Sequence, residues 1–311
     1  MKLAFVYAGQ GSQKVGMGRD FYERYPEFAS VLDSADVDFD LKQLCFEGPE
    51  EKLSQTRYTQ PCMVAFAIGV TDLLYREGIR PDAAAGLSLG EYSALYAAGV
   101  LDRDTAIRTV ALRGKAMEEA TAGLECGMTA VLALDREKLQ AACDRASELG
   151  VVQICNYNCP GQLVIGGEKA AVDRAGEMAR ELGAKRCMPL KVSGPFHTRL
   201  MKPAGDVLRE HFKAITFRKM EVPVYFNCKG GPKAEEESIA DLLERQVQSS
   251  VYWEDTIRRM EADGVDTIVE IGPGKTLSAF VKKTALSIKT YNIDNAGDFE
   301  KVAAALKGED L

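Results

Sequence analysis

Ala83-Ala84-Ala85-Gly86 runs into Leu87-Ser88-Leu89-Gly90 with no loop between, and this junction constrains the chain more than any other segment. The run of small residues reads as a short buried strand, and Leu89 to Ala98 reads as a helix. Strand, sharp turn and helix in immediate succession are the grammar of an α/β fold, a parallel sheet flanked by helices. Other segments agree. Leu3 to Ala8 is strand-like and ends at the turn Gly9-Gln10-Gly11-Ser12-Gln13. Pro61 opens a long apolar segment to Tyr75, which predicts a buried helix with proline in its first turn. Towards the C-terminus come a strand at Val222 to Phe226, a helix from Ile239 and a strand at Thr267 to Ile271.

Residues 127–192 follow another pattern. Met128 to Leu134, Val151 to Tyr157, Gln162 to Ile165 and Arg186 to Val192 are strand-like, and Arg136 to Leu149 and Lys169 to Leu182 are helix-like. A turn at Pro160-Gly161 joins the middle strands, and the order β-α-β-β-α-β is ferredoxin-like and complete in itself. The expected organisation is therefore a hydrolase-like α/β core from residues 1–126 and 193–311, interrupted by a ferredoxin-like subdomain at 127–192.

Composition excludes several functions. No run of 18 or more apolar residues is present to span a membrane, and the apolar N-terminal stretch is too short for a signal peptide. A cytoplasmic address follows, and the eight cysteines fit it as free thiols. Cys155 and Cys159 have no second pair at zinc-ligand spacing, so no metal is expected. A net charge of −7 argues against nucleic acid, but leaves room for a local basic patch that receives an acidic protein.

Gly86-Leu87-Ser88-Leu89-Gly90 has the Gly-x-Ser-x-Gly form of a nucleophile elbow. The glycines allow a turn too tight for side chains, and the serine stands at a helix N-terminus where the next main-chain N–H faces a developing oxyanion. Such a serine needs a base. Of the two histidines, His211 lies in a charged helical stretch, whereas His197 follows the turn Ser193-Gly194-Pro195-Phe196, which favours His197. Arg113 sits at the edge of the apolar face of a helix from Asp104 to Glu119. An internal salt bridge and a clamp on a substrate carboxylate explain it equally well. Gln246 falls within the apolar stripe of Ile239, Leu242, Leu243 and Val247, where it either braces a helix end or orients a base. Two motifs fail. Lys14 stands where a dinucleotide fingerprint needs its third glycine, and Val269 where a Walker loop ending in Gly274-Lys275-Thr276 needs its first.

Together these segments resemble the malonyl-CoA:acyl-carrier-protein transacylases of bacterial fatty-acid synthesis and the acyltransferase domains of polyketide synthases. The resemblance spans essentially the whole chain. It is carried by the turn at Gly9–Gln13, Gly86-Leu87-Ser88-Leu89-Gly90-Glu91-Tyr92-Ser93, Leu112-Arg113-Gly114 and Asn156-Tyr157-Asn158-Cys159-Pro160-Gly161-Gln162. Gly194-Pro195-Phe196-His197, Gln246 before Trp253 and Glu270-Ile271-Gly272-Pro273-Gly274 complete it. The resemblance implies Ser88 as nucleophile, His197 as base, main-chain N–H groups of Gln10 and Leu89 as the oxyanion hole, and Arg113 on the malonyl carboxylate. It also implies that the side-chain carbonyl of Gln246 holds the His197 ring. Malonyl-CoA would load Ser88, and the phosphopantetheine thiol of an acidic acyl carrier protein would take the group, with no metal or redox cofactor and with the enzyme a monomer. The chain departs from the pattern at Leu87, where histidine is usual, at Ala8 and at Ser250, where proline is usual. The resemblance also implies that Phe196, just before His197, favours malonyl over methylmalonyl, as a bulky ring does in related polyketide domains by crowding the branch methyl. A polyketide-pathway acyltransferase, a serine thioesterase or hydrolase, and a carrier-docking protein that has lost its chemistry are the competing readings.

Overall fold

The computed structural model describes residues 1–308, so positions 309–311 of the expected C-terminal core segment lie outside the described residues. The chain divides into two units. One comprises Met1–Gly114, Ile215–Tyr225 and Met260–Leu311, and the other Lys115–Ala214 and Phe226–Arg259.

In the first unit, parallel strands lie side by side in the order Lys289–Ile293, Thr267–Ile271, Leu3–Tyr7, Ala83–Gly86, Val224–Phe226. Leu3–Tyr7, Ala83–Gly86 and Thr267–Ile271 are buried at every position, as strands covered by helices on both faces must be. Tyr7 pairs with both Ile271 and Gly86. The last residues of these strands therefore share one edge of the sheet, where chains of this architecture place their sites. The helix after the Leu3–Tyr7 strand's first excursion differs from expectation. It runs Thr56–Arg76 with Pro61 inside it rather than in the first turn. Thr59 N–H donates to the Gln55 carbonyl at 2.8 Å, closing a helical turn before the proline is reached. Pro61 then gives up only its own bond to the carbonyl of Arg57.

The second unit contains the ferredoxin-like arrangement. Arg186–Pro189, Cys126–Leu132, Gln162–Glu168 and Val152–Cys159 lie in that order, each antiparallel to its neighbour. Helix Lys169–Glu181 buries Ala171, Val172, Ala175, Gly176 and Ala179, a stripe at helical spacing. It packs with helix Arg136–Ala146 into a core that includes Val131, Leu139, Ile154 and Ile165. The sheet gains a short parallel strand, Val251–Tyr252, beside Val152–Cys159. This unit therefore takes in more than residues 127–192. It also holds the loop around His197 and helix Ile239–Val247.

Candidate active site

The serine's surroundings are built by excluding side chains. Leu87 N–H donates to the Tyr7 carbonyl at 3.0 Å, and Gly90 N–H to the Leu87 carbonyl at 3.0 Å, closing the turn between strand and helix. A Cβ on Gly86 would lie 1.9 Å from the Gly90 carbonyl carbon, and one on Gly90 2.2 Å from the Tyr7 oxygen. Gly9 has the same constraint, since its Cβ would meet the Leu87 oxygen at 2.6 Å. Ser88 itself is held at φ 51°, a left-handed conformation that non-glycine residues adopt only under constraint from their surroundings. Leu89 stands at the N-terminal end of helix Gly90–Ala97, where main-chain N–H groups point off the helix.

Arg113 is 1% exposed and reaches Ser88: Nη2 donates to Ser88 Oγ at 3.1 Å. Nη1 donates to Gln60 Oε1 at 3.0 Å, so these two bonds go to neutral groups. Its guanidinium carbon sits 5.5 Å from the centre of the Tyr92 ring. Burial draws the Arg113 pKa down, and the Tyr92 ring and the Glu91 carboxylate oppose that pull. Gly114 must be glycine here, because a Cβ would lie 2.7 Å from the Thr56 oxygen. The Thr56 hydroxyl in turn accepts from Gln10 Nε2 at 3.0 Å. Gln10, Thr56, Gln60, Ser88 and Arg113 are thus connected within the first unit.

His197 belongs to the second unit and is buried, at φ 61°. Its Nδ1–H donates to the main-chain carbonyl of Gln246 at 2.9 Å. The expectation from the sequence placed the Gln246 side chain in that role, and this bond goes to the backbone instead. Donation from Nδ1 leaves Nε2 with the lone pair that a base requires. Gln246 is buried on the stripe with Ile239, Leu242, Leu243 and Val247. Around His197, Thr198 Oγ1 donates to the Pro195 carbonyl at 2.6 Å and accepts from Leu200 N–H at 3.3 Å. Gln153 Nε2 donates to the His197 carbonyl at 3.4 Å. His211 lies half-buried on helix Lys202–Phe212, beside the Phe212 ring.

Gln60, Thr56 and Gln153 carry no motif of their own and were not singled out by the sequence. Gln60 had one signal, a polar residue directly before the proline of a helix whose other buried residues are apolar or threonine. Among the described residues no group of three or more His, Cys, Asp or Glu side chains is placed to share a metal ion. No described helix is long and apolar enough to cross a membrane.

An α/β sheet carrying a serine on a glycine-framed elbow, with a buried guanidinium on its hydroxyl, defines a serine acyl-transfer class of protein. The family model described as "Acyl transferase domain" matches residues 4–305, and the chain belongs to that family. It is 43% identical to the malonyl CoA-acyl carrier protein transacylase of Bacillus subtilis, over 99% of this chain and 98% of that one. It is 40% identical to the protein of that name from Escherichia coli K12, over 98% and 99% of the two chains. A crystal structure of MCAT from Streptococcus pneumoniae superposes with a TM-score of 0.93 at 45% identity, covering 98% of this chain and 100% of that one. A malonyl-transacylase in complex with its type II PKS acyl-carrier protein superposes with a TM-score of 0.94 at 37% identity, covering 99% and 100%.

Proposed function

We propose that this chain transfers a malonyl group from malonyl-CoA to the phosphopantetheine thiol of an acyl carrier protein, by way of a Ser88 ester. The observation that carries this reading is the 3.1 Å bond from buried Arg113 to Ser88 Oγ. A guanidinium that water does not screen suits an acyl group ending in a carboxylate, and its neighbour on the serine is the atom that would bear that group. The names of the relatives support the same substrate and the same acceptor.

The cycle has two half-reactions. His197 Nε2 takes the Ser88 proton as Oγ attacks the thioester carbon, and main-chain N–H groups of Gln10 and Leu89 receive the oxyanion. The tetrahedral intermediate collapses by breaking its C–S bond, and the proton on His197 passes to the coenzyme A sulfur. The carrier thiol then gives its proton to His197 and attacks the Ser88 ester, whose C–O bond breaks as Oγ recovers the proton. Both steps exchange one acyl bond for another, so the chain's own residues suffice and no metal or redox cofactor enters. The reading takes the enzyme as a cytoplasmic monomer, a setting that the eight free cysteines fit.

The test is intact-protein mass after mixing with malonyl-CoA, followed by addition of acyl carrier protein. Wild type gains one malonyl group and loses it to the carrier. Ser88→Ala gains none, and its transfer rate falls by about 1,000-fold or more. An adduct that decays at the same rate with and without carrier would make the protein a hydrolase.

A further inference from the structure

Glu270 is a fully buried residue near the end of strand Thr267–Ile271, and the acyl-transfer cycle gives it no part. Its Oε1 accepts from Leu277 N–H at 2.9 Å and its Oε2 from Ser278 N–H at 2.7 Å, in the first turn of helix Thr276–Thr284. Helices elsewhere take a side-chain cap from the residue just before them, at Asp40, Asp135, Ser238 and Asn295. All four of those caps are exposed, so they bury no charge. Helix Thr276–Thr284 has no such bond from Lys275. It is capped from the strand instead, across seven and eight residues of sequence, although a buried carboxylate is costly to desolvate. The remote cap does one thing that a local cap cannot. It ties the strand's end to the helix's start and so fixes both ends of the loop between them.

That loop abuts the turn assigned to the oxyanion hole. Ala8 N–H donates to the Ile271 carbonyl at 3.1 Å, and a Cβ on Gly272, at φ 141°, would lie 2.5 Å from the Ala8 Cβ. Strand Leu3–Tyr7 runs between Thr267–Ile271 and Ala83–Gly86, so the elbow of Ser88 stands on its other side. There a Cβ on Gly9 would meet the Leu87 oxygen at 2.6 Å. The turn that leads to Gln10 is thus backed by the Gly272 loop and faces the serine's own turn, with little space on either side. We propose that Glu270 is a positioning residue for acyl transfer: by fixing the loop that backs Ala8, it holds the Gln10 N–H where the oxyanion develops. This rests on the reading of Gln10 as an oxyanion-hole donor. Glu270 does not touch the reacting atoms. In Glu270→Gln the shape is kept, but an NH2 group faces one of the two helix N–H donors and that bond is lost. Glu270→Asp keeps the charge and shortens the reach by one methylene.

The experiment measures single-turnover loading of Ser88 from malonyl-CoA and from acetyl-CoA in the full-length wild type, Glu270→Gln and Glu270→Asp. Maximal rate and half-saturating concentration are read separately, and thermal unfolding gives the folded fraction by which each rate is normalised. Removing an oxyanion donor outright costs about 100–1,000-fold in rate, and displacing one costs less. The maximal rate therefore falls by about 10-fold or more, equally for the two acyl groups, with half-saturation within about 2-fold of wild type. A boronic acid that becomes tetrahedral on Ser88 Oγ binds more weakly by a similar factor. A purely structural role would lower the unfolding temperature and leave the rate and the boronic-acid affinity per folded molecule unchanged, which overturns the proposal. Failure of both variants to fold overturns it too, and if one folds, that one decides. A wild type that takes no malonyl group from malonyl-CoA overturns the acyl-transfer reading instead, a failure visible before any variant is compared.

Discussion

The serine and the histidine are both held in left-handed backbone, at φ 51° and φ 61°, but their surroundings impose it by different means. Around Ser88 the constraint is space. Gly9, Gly86 and Gly90 each lie where a Cβ would strike main-chain atoms of the neighbouring strand or turn, and backbone cannot move aside as a side chain can. Around His197 the constraint is hydrogen bonding, through the Gln246 carbonyl, the Thr198 hydroxyl and the Gln153 amide. At the loop's tight glycine, Gly194, an added Cβ would meet the Thr121 methyl group at 2.4 Å, a side chain rather than backbone. The surroundings of Ser88 should therefore tolerate polar substitutions and fail on added atoms. The surroundings of His197 should tolerate small added atoms and fail when polar partners are removed.

The sharpest way to break this contrast is Gly86→Ala. Its Cβ overlaps Gly90 backbone, so it should cost more than about 4 kcal/mol and leave little folded protein, as read by denaturant unfolding. Gly194→Ala should cost only about 1–3 kcal/mol in the same assay, because Thr121 can shift. Equal losses in the two would erase the distinction.

Gln246→Ala sharpens the comparison from the other side. Truncating a buried side chain should cost about 2–3 kcal/mol of stability. The bond to His197 comes from the Gln246 main chain, which alanine retains, so kcat should fall by less than about 10-fold. A loss as large as that of His197→Ala would mean that the side chain orients the base after all. Thr198→Val removes a buried hydroxyl that both donates to Pro195 and accepts from Leu200, and should cost about 2 kcal/mol by thermal unfolding. The smallest effect is expected of Thr56→Val, about 1 kcal/mol in stability. It should slow loading from malonyl-CoA and acetyl-CoA to the same extent, since the Thr56 hydroxyl accepts from Gln10, on the side of the proposed oxyanion hole rather than of the proposed clamp.

Much of this was legible before any coordinates. The small residues of Ala83–Gly86, the turn at Pro160-Gly161 and the helical stripes are local signals, and each names its element through periodicity or backbone freedom. Gln246 was recognised as buried by the same periodicity, but whether its side chain or its carbonyl meets His197 depends on how a helix end approaches a loop 49 residues away. Pro61 misled in a related way. Proline is favoured in a first helical turn, yet here the main chain from Gln55 to Thr59 has already closed a turn, in a stretch with no start signal for propensity to find. Gln60 and Thr56 escaped notice because their meaning lies entirely in partners 53 and 46 residues distant. A residue whose role is to support another shows little pattern of its own.

The left-handed backbone at Ser88 has one more consequence. An L-residue there gives up roughly 1 kcal/mol relative to glycine, which adopts such angles freely. Ser88→Gly relieves that strain but also removes the Oγ that accepts from buried Arg113, so it should fold with a melting temperature close to the wild type's while losing malonyl loading. A search for thermostable variants that screened folding alone would not register the loss of Ser88, so stabilising this enzyme requires an activity readout at every round.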